Sequence, residues 1–355
     1  MTRTGPMFWR WCTTLSMNSP YAPRTLSRSK LSLPSLGFGT APLGGLHEAV
    51  PDTQARDVLQ SSWQLGFRYY DTAPLYGYGL AEERLGALLQ DHSDFIVSSK
   101  VGRVLRPDIP PHPTQLESDG SFGFKSTSKL NVEYDYSYDG VLRSFEDSLR
   151  RLQVARIDLL FIHDPDAVGV GVGELMRGAY RALHELREQG MVTAIGAGMN
   201  QWQMPAELLK AGEFDVFLLA GRYTLFEQDS LHGFMDRCQE RGIGVVIGGV
   251  YNSGLLAAAQ PGATYNYSPA SPETLQRAQA IDAVCARHAV SLKQAALHFP
   301  FGHPAVTSVL VASRHAGHVL ENTTLLQQTV PAELWQDLKH EGLLGAHVPV
   351  PAPGA

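Results

Sequence analysis

The chain has 355 residues, 44% hydrophobic and 18% charged, enough for one large core or two small ones. Its formal charge of −6 comes from interspersed acids and bases, which removes the electrostatic case for nucleic acid, and no apolar run approaches the roughly 18 residues of a membrane span. Cys12, Cys238 and Cys285 stand far apart with no CxxC pair, so neither a disulfide framework nor a zinc site is expected, and a reducing, cytoplasmic setting fits.

Residues 1–20 carry Arg3 and Arg10, no acid, and the aromatics Phe8, Trp9 and Trp11. Arg10 interrupts what would be a signal-peptide core, so a disordered tail is expected, with Met17 as an alternative start. Residues 21–345 are expected to form a single catalytic domain and residues 346–355 a C-terminal tail.

A first strand is predicted over 36–40. Val58, Leu59, Ser62 and Trp63 then share a helical face, Gly66 follows, and 67–71 is a second strand. A third strand covers 95–100. Residues 101–138, rich in Pro, Ser, Asp and aromatics, are too long for an ordinary strand–helix loop. Leu142, Phe145, Leu149 and Leu152 mark the next helix and 157–163 the fourth strand. The pattern of helical face, glycine and apolar run then repeats three times. Leu183 and Leu186 lead through Gly190 to 192–196, and Leu208 and Leu209 through Gly212 to 214–219. Leu231, Phe234, Met235 and Cys238 lead through Gly242 to 243–247. A second long loop, 257–272, precedes an eighth strand at 307–312.

The glycines suit a left-handed residue that ends a helix, and the continuous apolar runs suit strands buried on both faces. Eight strictly alternating β–α units over about 300 residues predict a closed parallel (β/α)8 TIM barrel, an α/β fold with long loops over its C-terminal face. An open doubly wound sheet would advertise a GxGxxG turn, and Gly37-Phe38-Gly39 and Gly196-Ala197-Gly198 both lack the third glycine.

The polar residues at the strand ends suggest chemistry. Asp71, Lys100 and His163 close strands two, three and four, and Tyr76 follows in Asp71-Thr72-Ala73-Pro74-Leu75-Tyr76-Gly77. On a barrel these converge at the C-terminal mouth, where active sites lie. A carboxylate keeps a neighbouring lysine charged, and a charged lysine is expected to lower the pKa of a neighbouring phenol towards neutrality. A phenol so tuned suits carbonyl reduction or alcohol oxidation. Taken singly, each residue has a plain structural reading: a solvated lysine, a core histidine, a capping aspartate, a packed tyrosine.

Together with Ser98-Ser99-Lys100 and Ile157-Asp158-Leu159-Leu160-Phe161-Ile162-His163, these residues resemble the Asp/Tyr/Lys/His tetrad of the aldo-keto reductases, a likeness running from about Ser32 to Leu338. The resemblance implies Tyr76 as general acid or base, tuned by a Lys100 that pairs with Asp71, while His163 orients the reacting oxygen. It also implies an extended dinucleotide, NAD with NADP possible, and no metal. Gly39, Thr40 and Asp71 would lie near the nicotinamide end, and Asn200 would hold the carboxamide. Tyr251-Asn252-Ser253-Gly254-Leu255 would close over the pyrophosphate. Ala312-Ser313-Arg314, His318, Glu321 and Asn322 would meet the adenosine.

The sequence departs from the family pattern where Gly198-Met199-Asn200 follows strand five, Ala220 ends strand six, Gly249-Val250-Tyr251 follows strand seven, and His318 stands at the adenine side. Asp135-Tyr136-Ser137-Tyr138-Asp139-Gly140, Leu219-Ala220-Gly221-Arg222-Tyr223 and Gly248-Gly249-Val250-Tyr251-Asn252-Ser253-Gly254 resemble a branch that contains D-threo-aldose (L-fucose) 1-dehydrogenases and pyridoxal 4-dehydrogenases. That likeness implies oxidation of a cyclic hemiacetal to a lactone, with a small sugar or aldehyde as the binding partner. Residues 101–138 would supply the wall that picks it.

A glycosidase would need a second carboxylate where strand seven ends in Gly248-Gly249. A metal hydrolase would need more ligands than His163-Asp164-Pro165-Asp166 offers. A general aldehyde or ketone reductase, and a regulatory protein that holds the nucleotide to sense redox state, both remain compatible with the tetrad. Oligomeric state is not encoded in any of these features.

Overall fold

The computed structural model describes residues 23–352; the expected N-terminal tail, residues 1–20, lies outside them. Eight parallel strands close into a barrel in chain order: β1 (Leu36–Gly39), β2 (Tyr69–Asp71), β3 (Ile96–Val101), β4 (Leu159–His163), β5 (Ala194–Met199), β6 (Val216–Ala220), β7 (Gly244–Gly248) and β8 (Val306–Ala312). The outer ring is α1 (Asp52–Gln64), α2 (Leu80–Leu89), α3 (Tyr138–Leu152), α4 (Ala179–Glu188), α5 (Gln203–Ala211), α6 (Asp236–Glu240), α7 (Pro272–Arg287) and α8 (Ala316–Gln327). Further helices lie at Val172–Arg177, Leu292–His298 and Ala332–His340.

Period-2 alternation separates two cores. Phe38, Tyr70, Val97, Ile162, Ile195, Phe217 and Ile247 point outward against the helices. Tyr69, Leu159, Phe161, Ala194, Val216, Leu218, Val246 and Leu310 fill the lumen. With both faces covered, the strands present the continuous apolar runs seen in the sequence.

The floor of the lumen is a feature that the sequence reading did not resolve. Arg24–Thr25 pairs antiparallel with Ser32–Leu33, and the hairpin drives Leu26 and Leu33, both fully buried, into the inner core. The barrel is thus closed at its N-terminal end and open only at the other.

Several expectations need correction. Gly66, Gly190 and Gly242 have positive φ as anticipated, but Gly212 is extended at φ −146°. Its smallness serves packing: a Cβ there would lie 2.7 Å from the Tyr180 ring and 2.9 Å from the Met176 methyl. Gly196 and Gly198 lie within β5, which runs further than the apolar pattern suggested. At Gly196 a Cβ would meet the Val216 carbonyl at 1.8 Å, so the strand can pass only as glycine. The two long loops each carry a short hairpin of their own. Arg103–Arg106 pairs with Asn131–Tyr134 in the first, and Thr264–Tyr265 with Ser268–Pro269 in the second. Beyond Ala332–His340 the chain still packs on the barrel, with Val348 and Pro351 buried.

Candidate active site

The alternation that fills the lumen also decides what reaches its mouth. Counting inward positions along β2, Tyr69 is followed by Asp71; along β3, Ser98 by Lys100; along β4, Phe161 by His163. Across the barrel the equivalent positions hold Gly198 on β5, Ala220 on β6 and Gly248 on β7. One half of the top layer is therefore titratable and the other half nearly empty. The space is a cavity of about 240 Å³ lined by Tyr76, Lys100, His163, Asp164, Gly198, Asn200 and Ala220 on one side and by Leu46, Leu75, Phe124 and Tyr267 on another.

Lys100 is buried, and its ammonium donates to Asp71 Oδ2 at 2.7 Å, to the Thr72 carbonyl at 2.9 Å and to the Tyr76 hydroxyl at 3.0 Å. Asp71 is held in turn by the Ser98 hydroxyl at 2.7 Å, which lies 3.2 Å from Tyr69 Oη. All three donor positions of the ammonium are used, so its direction is fixed. His163 stands edge-on to Tyr76, with ring centroids 5.9 Å apart. Its Nδ1 is buried without a hydrogen-bond partner.

Tyr76 is placed by a close approach of two backbones. Gly77, at φ 66°, and Gly44 touch so tightly that a Cβ on Gly44 would lie 2.5 Å from the Tyr76 carbonyl carbon. Ser126 and Ser128 of the long loop donate to the Gly77 and Tyr78 carbonyls at 2.7 and 2.8 Å, tying the loop over the tyrosine.

The expected lowering of the Tyr76 pKa does not appear as a net effect. Burial raises it above the usual phenol value, and the Lys100 charge opposes that rise without cancelling it. Burial would pull the Lys100 ammonium down, but Asp71 and Tyr76 hold it above the usual lysine value, so it stays charged. Burial, with the nearby Arg103 and Lys100 cations, keeps His163 well below the ordinary imidazole range and therefore neutral. The mouth thus offers a fixed cation, a neutral imidazole and a phenol between them, an arrangement suited to moving one proton at an oxygen.

A second group was missed in the sequence. Asp164, in the left-handed region at φ 38°, accepts from buried Arg103 at 3.2 Å and from the Asn200 amide N–H at 3.1 Å. The Asn200 side-chain amide also turns to this carboxylate, at 3.2 and 3.3 Å. Burial raises the Asp164 pKa, with Arg103 pulling the other way. The available signals were an arginine two residues past the end of β3 and an aspartate beside His163, which the sequence reading weighed only as a metal ligand.

A larger cavity of about 690 Å³ joins the first across Leu46 and Tyr267, which line both. Of the residues expected at a cofactor, Ser253, Ala312, Ser313, Arg314 and His318 line it, and Asn200 lines the smaller cavity. Gly39 and Thr40 sit beside Asp71, whose carbonyl accepts from the Thr40 amide at 2.9 Å and its hydroxyl at 3.0 Å. Tyr251, Asn252, Gly254, Leu255, Glu321 and Asn322 are not among the lining residues of either cavity. The Tyr251 hydroxyl donates to Asn322 at 2.5 Å, Glu321 pairs with Lys293 at 2.9 Å, and Leu255 is fully buried.

Asn252, Ser253 and Gly254 run through three successive positive φ values, 47°, 59° and 106°. The Asn252 and Gly254 amides donate to the Gly249 and Tyr251 carbonyls at 2.9 and 3.0 Å, so the run is a tight turn that brings Ser253 to the cavity wall. The buried Asn252 Oδ1 has no hydrogen-bond partner among the described residues. Among those residues no cluster of His, Cys, Asp or Glu fits a metal ion, and no helix is long and apolar enough to cross a membrane.

Comparisons with known proteins place the chain among oxidoreductases. The chain is 39% identical over 335 residues to a pyridoxal 4-dehydrogenase from Microbacterium luteolum, covering 90% of this chain and 97% of that one. It is 37% identical over 318 residues to a D-threo-aldose 1-dehydrogenase from a Pseudomonas species, covering 88% and 95%. Among solved structures, the holo form of an aldo-keto reductase from Bacillus halodurans superposes with a TM-score of 0.71 at 24% identity, over 92% of this chain and 98% of that one, and so supports the fold. Residues 35–340 match the model of the aldo/keto reductase family, and the chain belongs to that family of oxidoreductases.

Proposed function

We propose that this enzyme oxidises the C1 hydroxyl of a cyclic hemiacetal, an aldose such as L-fucose or D-arabinose, to a lactone, with NAD⁺ as acceptor. The observation that carries the reading is the continuous chain Asp71–Lys100–Tyr76 in the floor of a small cavity that opens onto a larger one. The larger cavity, continuous with the inner one across Leu46 and Tyr267, suits an extended dinucleotide. Bound there with its ring at the inner cavity, the nicotinamide supplies the acceptor for the hydride that leaves the carbinol carbon.

The chain's own residues handle the proton. Tyr76 Oη, once ionised beside the Lys100 ammonium, takes the hydroxyl proton of the substrate as the hydride departs. The neutral His163 imidazole fixes the reacting oxygen. Leu75 and Phe124 exclude water, and Phe124 comes from the 101–138 loop expected to form the selecting wall. Asp164 and Asn200 give the same cavity a polar edge that suits ring hydroxyls.

The pyridoxal 4-dehydrogenase relative favours a second substrate, the cyclic hemiacetal of pyridoxal, with the same proton and hydride path. The test is a screen of L-fucose, D-arabinose and pyridoxal with NAD⁺ and NADP⁺, read as reduced-cofactor absorbance, with product mass measured. Lactone formation from an aldose supports the reading. Turnover restricted to pyridoxal selects the second substrate, and binding of nucleotide without turnover of any of the three would leave a regulatory binding protein.

A further inference from the structure

Arg314 lies in the wall of the larger cavity, immediately after β8. Its guanidinium does not face that cavity as a free cation: Nη2 is 3.0 Å from Glu48 Oε2. Glu48 belongs to the segment between β1 and α1, and the residue before it, His47, lines the same cavity. That segment is anchored, because the His47 amide donates to the Gly123 carbonyl at 3.0 Å. The opposite side is anchored too, because the Gln54 side chain of α1 donates to the Arg314 carbonyl at 2.7 Å. The carboxylate is therefore presented to the arginine by two fixed backbones.

The pair does little for the fold. Its side chains are 35% and 65% exposed, and an exposed ion pair contributes little to stability. Its consequence falls on what enters the cavity. A 2′-phosphate carries close to two negative charges near neutral pH and needs an uncommitted cation. Here the guanidinium is already neutralised, and the neutralising carboxylate repels a second anion. A ribose 2′-hydroxyl meets no such penalty and can donate to the same carboxylate, the device that acidic residues serve in other NAD-binding folds. Selectivity between close relatives often rests on such a repulsive element.

We infer that Glu48 is a specificity-determining residue that, by occupying Arg314, excludes the 2′-phosphate of NADP⁺ and admits NAD⁺. The inference rests on the NAD⁺ reading above. His47, His315 and His318 also line this cavity and Lys293 is paired with Glu321, so binding of all variants is compared at one fixed pH of about 8.

The test measures dissociation constants of NAD⁺, NADP⁺ and adenosine 2′,5′-bisphosphate by titration calorimetry for the wild type, Glu48→Gln, Arg314→Ala and the double variant. Melting temperatures check that each is folded. Glu48→Gln should tighten NADP⁺ and the bisphosphate by about tenfold while moving NAD⁺ less than threefold, and the double variant should lose that gain. Unchanged NADP⁺ affinity in Glu48→Gln, with a wild type that prefers NAD⁺, would overturn the role of Glu48 and leave the NAD⁺ reading standing. A wild type that prefers NADP⁺ would overturn the NAD⁺ reading itself. Retention of the gain in the double variant would also overturn the inference, because the freed cation would then not be Arg314.

Discussion

The Tyr76 hydroxyl has to ionise in a place where burial opposes it, and Lys100 supplies the opposing charge at 3.0 Å. Removing that charge should move the pKa further up, so Lys100→Met should need a higher pH than the wild type to oxidise substrate at half its maximal rate. The pH–rate profiles of the two proteins check this, and coincident profiles would remove Lys100 from the tuning role. Tyr76→Phe should lower kcat by about 100- to 10,000-fold with nucleotide affinity nearly unchanged, because the phenol acts on the substrate proton. A near-normal rate in the folded variant would remove Tyr76 from the chemistry. Asp71, Lys100 and His163 were legible as strand ends that barrel alternation places at the mouth without any knowledge of packing, and Tyr76 as the loop residue that follows Asp71. Arg103 and Asp164 were not. Their pairing joins a loop hairpin to the end of β4, a contact 61 residues apart along the chain that no local pattern records.

At the next scale, the loops that position these groups depend on contacts that propensity does not reveal. The turn carrying Tyr76 rests on the Ala41–Gly44 turn through Gly44 and Gly77, where two backbones meet with no room for a methyl group. Gly44→Ala must push the Tyr76 backbone away, and displacement of the phenol from Lys100 should follow. The expected result is a loss of about 10- to 100-fold in kcat with the fold retained, since a misplacement near 1 Å can cost that much. Steady-state kinetics beside a circular dichroism spectrum would show it, and unchanged kcat would mean that the loop absorbs the strain elsewhere. The helix-ending glycines were legible as turns because the left-handed conformation is a local requirement. Gly196, Gly212 and the hairpin that drives Leu26 into the lumen were not, because each answers to a neighbour distant in sequence.

Over the whole molecule, the barrel buries imidazoles beyond the one at the reacting mouth, and together with it they set the response to acid. His303, fully buried, donates from Nε2 towards Asp236 Oδ1 at 3.3 Å while its Nδ1 accepts the Ala305 amide at 3.1 Å. A proton on Nδ1 would break that second bond, and burial holds the His303 pKa below its ordinary value despite Asp236. His298 is likewise lowered by burial, with Nε2 at 3.0 Å from the Leu325 carbonyl, and His163 is lowered most of the three. In the unfolded chain the same imidazoles titrate near about 6.5. Below that pH the unfolded state takes up protons that the folded state refuses, so stability falls as pH drops from about 6.5 towards the depressed folded values. Above about 6.5 both states are neutral at these sites and their contribution is constant. The melting temperature should therefore be level between pH 7 and 8 and decline from pH 6.5 to 5. His303→Asn, which removes one such titration, should shallow the decline while lowering the melting temperature at pH 7.5. Calorimetric scans across that range check both effects, and an equally steep decline in the variant would show that acid lability arises elsewhere in the barrel.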